Sequence, residues 1–370
     1  MIKKISIIAL LICLSLGVFG PGTVLADGEL AVTSSSAEID FPMRLIFNIS
    51  AESDAAITDI RLCYKVERLE HVHVFSEIYV PFVPSRTVTA QSVVDMRKTG
   101  GLPPGASVDY WWTLTDAGGR ELRTTPARID IEDNRYNWQQ ITAGDVTILW
   151  YRGDGDFADE LMEATQSALT RLADNTGAEL ENPVRFYVFA SSSDLRGAMI
   201  YPQEWTGGVA YTRYGIIAIG ISPNTGDIEW GKRTISHELT HLVIHQVTFN
   251  PYSDLPVWLD EGLAMYSEGE LTAVFTNALA EAWNKGRLIT VRSLASPFSA
   301  YADESLLAYA ESYKLVEYLI DNYGRDKMLE LLNTFKEGSG YDDALEKVYG
   351  FDMDGLNDLW QADFENSLFS

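Results

Sequence analysis

Apolar and polar positions change rhythm near residue 134 of this 370-residue chain. Before that point, short runs alternate the two kinds: Arg44 to Ile49, Ile60 to Val66, Val108 to Thr115 and Arg128 to Ile131. Period-two alternation predicts strands with one buried face. Gly100 to Gly105 and Ala117-Gly118-Gly119 supply the turns between them. Tyr110, Trp111 and Trp112 point to alternate faces, so one of the two tryptophans is expected to anchor a core. His71-Val72-His73 puts two imidazoles on one strand face. No acid or cysteine follows to complete a metal site, so an exposed strand face is the simpler expectation.

From Asn134 the texture is mixed, then helical. Val146 to Tyr151 and Val184 to Phe189 predict strands flanking an amphipathic helix over Phe157 to Asn175. Gly207 to Ile219 predicts a pair of strands or one long bent strand, with contact to an extended ligand and an internal strand as equal alternatives. Ile235, Leu239, Leu242, Val243 and Val247 keep a 3.6-residue rhythm between the turn at Pro223-Asn224-Thr225-Gly226 and the stop at Asn250-Pro251, which predicts a half-buried helix. Further helices are expected at Ser305 to Tyr323 with Gly324 as a stop, at Lys327 to Phe335 and at Leu356 to Leu368. There are no internal repeats or low-complexity segments.

The helix over Ile235 to Val247 carries His237-Glu238-Leu239-Thr240-His241. Residues four apart share a helix face, about 6 Å apart along the axis, so His237 and His241 can aim at one metal ion. Zinc held by three protein ligands keeps a fourth position for water and lowers that water's pKa to about 7. Glu238 is placed to take the proton. His245 lies about 12 Å along the axis from His237, too far to share the ion, and is expected to pack or to support the ligands.

A third ligand is offered by Trp258-Leu259-Asp260-Glu261-Gly262-Leu263-Ala264. Here the chain resembles the gluzincin metallopeptidases of the peptidase MA type, the group of thermolysin and the zinc aminopeptidases. In that group a glutamate on a second helix completes the site, and Glu261, with 19 residues between it and His241, falls on that position. Asp260 stands where the family usually has asparagine, a departure that leaves the ligand unaffected. Tyr309-Ala310-Glu311-Ser312-Tyr313 resembles the family's next helix, with Tyr309 in the place of the tyrosine that donates to the oxyanion; Tyr313, one turn on, is the alternative. The aminopeptidase segment that ends in a glutamate for the substrate's amino terminus is not reproduced: Gly197-Ala198-Met199 is followed by Ile200-Tyr201.

The resemblance covers about residues 140 to 365 and implies one zinc per chain, a peptide or protein substrate, and hydrolysis by zinc-bound water activated by Glu238, in an endopeptidase rather than an exopeptidase. The expected architecture is multidomain: an all-β immunoglobulin/fibronectin-like sandwich over 28–134, then an α+β gluzincin catalytic domain over 135–370 with a helical C-terminal lobe. Two alternatives stay open. One is a zinc-binding surface protein without catalysis, which an intact Glu238 argues against. The other is a zinc hydrolase acting on a non-peptide bond.

Met1-Ile2-Lys3-Lys4, an uncharged apolar run from Ile5 to Phe19 and Val24-Leu25-Ala26 together read as a secretory signal over 1–26, with an uncleaved anchor as the alternative. A secreted or cell-surface location is expected, without other stable membrane insertion. Without the signal, Cys63 is the only cysteine, so no internal disulfide is expected. The net charge of −25 loses Lys3 and Lys4 and becomes −27, which disfavours nucleic acid and anionic membranes. Asp154-Gly155-Asp156 and Asp352-Met353-Asp354-Gly355 do not fit a twelve-residue calcium loop, and Asp354 is expected to cap the last helix.

Overall fold

The computed structural model describes residues 29–69, 74–204, 206–299 and 301–368. The signal over 1–26 and His71-Val72-His73 lie outside the described residues.

The first seven strands are β1 (Ala31–Asp40), β2 (Arg44–Val66), β3 (Ser76–Tyr79), β4 (Ser85–Asp95), β5 (Ser107–Asp116), β6 (Glu121–Arg123) and β7 (Ala127–Asp130). The two strands expected at Arg44 to Ile49 and Ile60 to Val66 are one continuous strand, irregular between Glu52 and Ile57. Its first half pairs with β1 and β4, its second half with β3 and β5, and β5 also pairs with β6 and β7. Through β2 and β5 all seven strands join one sheet. Phe47 and Ile49 from its first half and Ile60 and Leu62 from its second meet Val88, Val108 and Leu114 in one core. Trp112 is fully buried there, and its indole N–H donates to Ser35 Oγ at 3.0 Å. Trp111 lies on the opposite face against Phe75 and under Arg123.

The second sheet comprises β8 (Gln139–Ala143), β9 (Val146–Trp150), β10 (Val184–Phe189), β11 (Gly208–Tyr211) and β12 (Ile216–Gly220), in the order β11-β12-β10-β9-β8. β9, β10 and β12 are parallel, and the two edge strands run antiparallel to their neighbours. α1 (Gly155–Thr176) connects β9 to β10, capped by Asp154, whose side chain accepts from the Phe157 amide. α2 (Ser192–Arg196) precedes the loop to β11. The segment Gly207 to Ile219 is therefore a hairpin with β11 at one edge of the sheet.

α3 (Thr225–Val247) carries the two histidines, and every later element among the described residues is a helix: α4 (Val257–Ser267), α5 (Ala273–Asn284), α6 (Val291–Leu294), α7 (Ala302–Lys336), α8 (Tyr341–Tyr349) and α9 (Met353–Leu368). α7 is interrupted at Gly324, whose φ of 81° leaves the helical region where a stop was expected. Asp352, not Asp354, caps α9: its Oδ1 accepts from the Gly355 amide at 2.8 Å, while Asp354 pairs with Arg292. Ile235, Leu239, Leu242 and Val243 of α3 are buried in the core shared with the sheet and α4. Cys63 is buried and unpaired. Among the described residues no helix is long and apolar enough to cross a membrane.

Candidate active site

The histidine face of α3 meets α4, and α7 crosses α4 on its other side. Gly262 makes that crossing close, because a Cβ there would collide with the Ser312 carbonyl oxygen and with Val316 Cγ2 at 2.7 Å. Neighbouring Glu261 is thereby turned toward α3 and Tyr309 of α7 is brought to the same cleft. The cleft, of about 1130 Å³, is lined by His237, Glu238, Glu268, Tyr309, Gly207 and Gly208 among others.

His237 Nε2 and His241 Nε2 lie 3.1 Å apart, and Glu261 Oε2 lies 3.5 Å from the first and 3.4 Å from the second. The other ring nitrogens face carboxylates. His237 Nδ1 is 2.8 Å from Glu268 Oε1, and His241 Nδ1 is 3.0 Å from Asp260 Oδ1. With the Nδ1 atoms facing acceptors, the Nε2 lone pairs turn inward on each other and on a carboxylate oxygen. Glu261 Oε2 is buried and has no hydrogen-bond partner. Three convergent lone-pair donors repel one another unless a cation sits among them. Bonds of about 2.0–2.2 Å at tetrahedral angles put zinc ligand atoms roughly 3.3–3.6 Å apart, close to the separations seen here, so these residues fit zinc. Among the described residues, this is the one group of three whose ligand atoms converge in this way.

The titration behaviour agrees. Burial alone would lower the His237 imidazole, but Glu261 and Glu268 outweigh it and raise it to about 9. Burial likewise opposes His241, which Asp260 and Glu261 raise well above its ordinary value. For Glu261, burial is outweighed by His241 and His237, which hold the carboxyl at about 2. The site therefore favours positive charge held by ionised carboxylates. Burial pushes the Glu238 carboxyl the other way, upward, against His237 and His241. That is the direction suited to a proton acceptor. Gly208 makes room for this side chain: a Cβ there would stand 2.8 Å from Glu238 Oε1.

All five residues expected from sequence line or build this one site. Tyr309 reaches the cleft from the interior of α7 rather than from its first turn, with its ring edge-on to Phe298 at 5.2 Å. Burial and the nearby Glu261 raise its phenol above the ordinary value, so it stays a donor. Tyr313 is packed away, 5.7 Å from the Tyr266 ring. Two residues go beyond the sequence reading. Glu268, 31 residues from His237, supports that ligand and is itself held by Arg233 at 3.3 Å. Asp260, expected to be inconsequential, lies against His241 and is also 3.4 Å from His245 Nε2. Gly197-Ala198-Met199 lies outside the cleft lining, with Ala198 and Met199 packed in an aromatic cluster on the sheet.

Residues 164–366 match the family model of the peptidase MA superfamily. The chain belongs to that superfamily. The matched range takes in α3, α4 and α7, the helices that build the site. No curated protein matches the chain. Solved structures similar to this superfamily member include an M1 zinc metallopeptidase from Deinococcus radiodurans, 13% identical over 90% of this chain and 94% of that one, with a TM-score of 0.36. A two-domain M1 zinc metallopeptidase mutant bound to L-arginine is 11% identical over 90% and 94%, with a TM-score of 0.41. OgpA from Akkermansia muciniphila is 8% identical over 28% of each chain, with a TM-score of 0.22.

Proposed function

We propose that this chain is an exported zinc-dependent peptidase of the gluzincin type, acting within extended chains, with one zinc held by His237, His241 and Glu261. The observation that carries this reading is the convergence of those three ligand atoms in the cleft that also holds Glu238 and Tyr309. When bound, zinc supplies a Lewis acid that polarises a carbonyl and acidifies water. Glu238 takes the proton of the attacking water and returns it to the leaving amine nitrogen. The Tyr309 hydroxyl donates to the oxygen on which negative charge grows, a contact stronger in the transition state than in the ground state. Asp260 and Glu268 fix the ring orientation of the two histidines.

Endopeptidase action is supported by the edge position of β11 beside Glu238, along which an extended peptide can add as a strand. A cleft above the 300–1,000 Å³ usual for small ligands also suits a peptide segment. The leader over 1–26 is read as the export signal, and the chain is divided at about residue 134. The pairing of β1 and β4 with one half of β2, and of β3 and β5 with the other, supports a fibronectin-like sandwich for the first part.

A labelled peptide library, incubated with and without a zinc chelator, tests the proposal. Chelator-sensitive internal cleavage, with Glu238→Gln retaining zinc but losing at least about 10²-fold in kcat, is expected. Bound zinc without any cleavage would favour a non-catalytic surface protein or a hydrolase of non-peptide bonds.

A further inference from the structure

β11 forms the cleft wall beside Glu238: Gly208 lies against that carboxylate, and the Ala210 amide favours its ionised form. As an edge strand β11 has one sheet neighbour, β12, and four residues of pairing. An edge strand this short is expected to fray unless its ends are tied down.

Both ends are tied, and to the N-terminal strands. At the far end, the Leu69 amide donates to the Arg213 carbonyl at 2.8 Å, just beyond β2. The Arg68 guanidinium lies 5.9 Å from the centre of the Tyr214 ring, and that ring packs on the N-terminal core. At the near end, Ile200 packs on the same core and fills the space that a side chain on Gly101 would take, 2.9 Å from its Cγ1. Arg135 braces the start of this loop, donating to the Gly197 carbonyl at 2.8 Å while paired with buried Asp133 and stacked over Phe41. Arg196 donates to the Thr206 carbonyl at 3.4 Å at the loop's other end. Between them Tyr201 adopts φ 53°, the one positive φ among described non-glycine residues. A bulky residue holds that conformation only when its flanks impose it.

We propose that the N-terminal sheet unit is a positioning element of the hydrolytic site: through Ile200 before β11 and Arg68 and Leu69 after it, the unit sets the strand on which an extended peptide substrate lies. The inference rests on the peptidase function proposed above. Neither Ile200 nor Arg68 is among the residues that line the cleft. They act through β11.

The test uses the full chain carrying Ile200→Ala, Arg68→Ala or both, with Ile200→Val as the conservative control. Hydrogen exchange of the amides over 206–215 should quicken about tenfold in the double variant while those over 235–247 stay unchanged. KM for an extended peptide should rise about tenfold, with zinc content unchanged and Ile200→Val near wild type. Exchange over 206–215 equal to wild type would overturn the proposal, and so would faster exchange with an unchanged KM. If the wild type cleaves no peptide, the proposed activity falls, and the exchange measurement alone decides whether the clamp exists.

Discussion

Replacing Asp260 tests whether the carboxylate beside His241 belongs to the metal centre. Asp260 Oδ1 is 3.0 Å from His241 Nδ1, and Oδ2 is 3.4 Å from His245 Nε2. Its carboxyl is held well below the usual range: burial opposes ionisation, and His241 and His245 outweigh it. Asp260→Asn keeps an oxygen that can accept from Nδ1–H and removes only the charge. A contact to a charged group is worth about 1.5–3 kcal/mol against roughly 1 for a neutral one, so the loss is about 1–1.5 kcal/mol. That is about tenfold in zinc affinity. Asp260→Ala removes the carboxylate beside His241 altogether, which takes the loss to about 100-fold. Competition against a chromogenic zinc chelator near neutral pH, with circular dichroism as the folding control, should rank wild type above Asn above Ala. An alanine variant within about twofold of wild type would refute the argument, as would tighter binding by the asparagine that the family usually carries.

Tyr309→Phe should lower kcat by about 10²-fold with KM little changed, whereas Tyr313→Phe should leave kcat unchanged; the reverse pattern would move the oxyanion donor one turn along α7. Gly262→Ala should destabilise the chain by about 3 kcal/mol, because its Cβ meets backbone at Ser312 and α4 cannot draw back without displacing Glu261; an unchanged Tm would show the crossing to be looser than described. Burial raises the fully buried Glu311 carboxyl to about 8, with the Ile289 amide opposing, against 4.5 when unfolded. A raised folded value means the stability from protonation is complete below about pH 4.5 and is lost as pH rises through about 8, on the order of 4–5 kcal/mol at the limit. Glu311→Gln should therefore flatten the fall in Tm between about pH 5 and pH 9 that the wild type shows; an equal fall in both would exclude Glu311 as its cause.

Local rules determined a good part of this protein. The four-residue spacing puts His237 and His241 on one face of any helix they share, and alternation marks the buried face of β2. Gly262 beside Glu261 signals a close helix crossing before any partner is known, and Gly324 ends its helix because it carries no Cβ. Such features depend on residues a turn or a pleat apart, and periodicity carries that information. What a side chain meets across the fold is not periodic. Glu268 reaches His237 from the end of α4, and Asp260 turns from a substituted family position into the partner of two histidines only once α3 and α4 are packed. Tyr309 and Tyr313 are both tyrosines on one helix, and the angle at which α7 crosses α4 decides that only the first lines the cleft. The polar strand β1 has too little alternation to stand out and exists because β2 pairs with it. The contacts of Ile200 with Gly101 and of Leu69 with Arg213 join segments about a hundred residues or more apart in sequence, and contacts between distant segments follow from three-dimensional packing that no local pattern encodes.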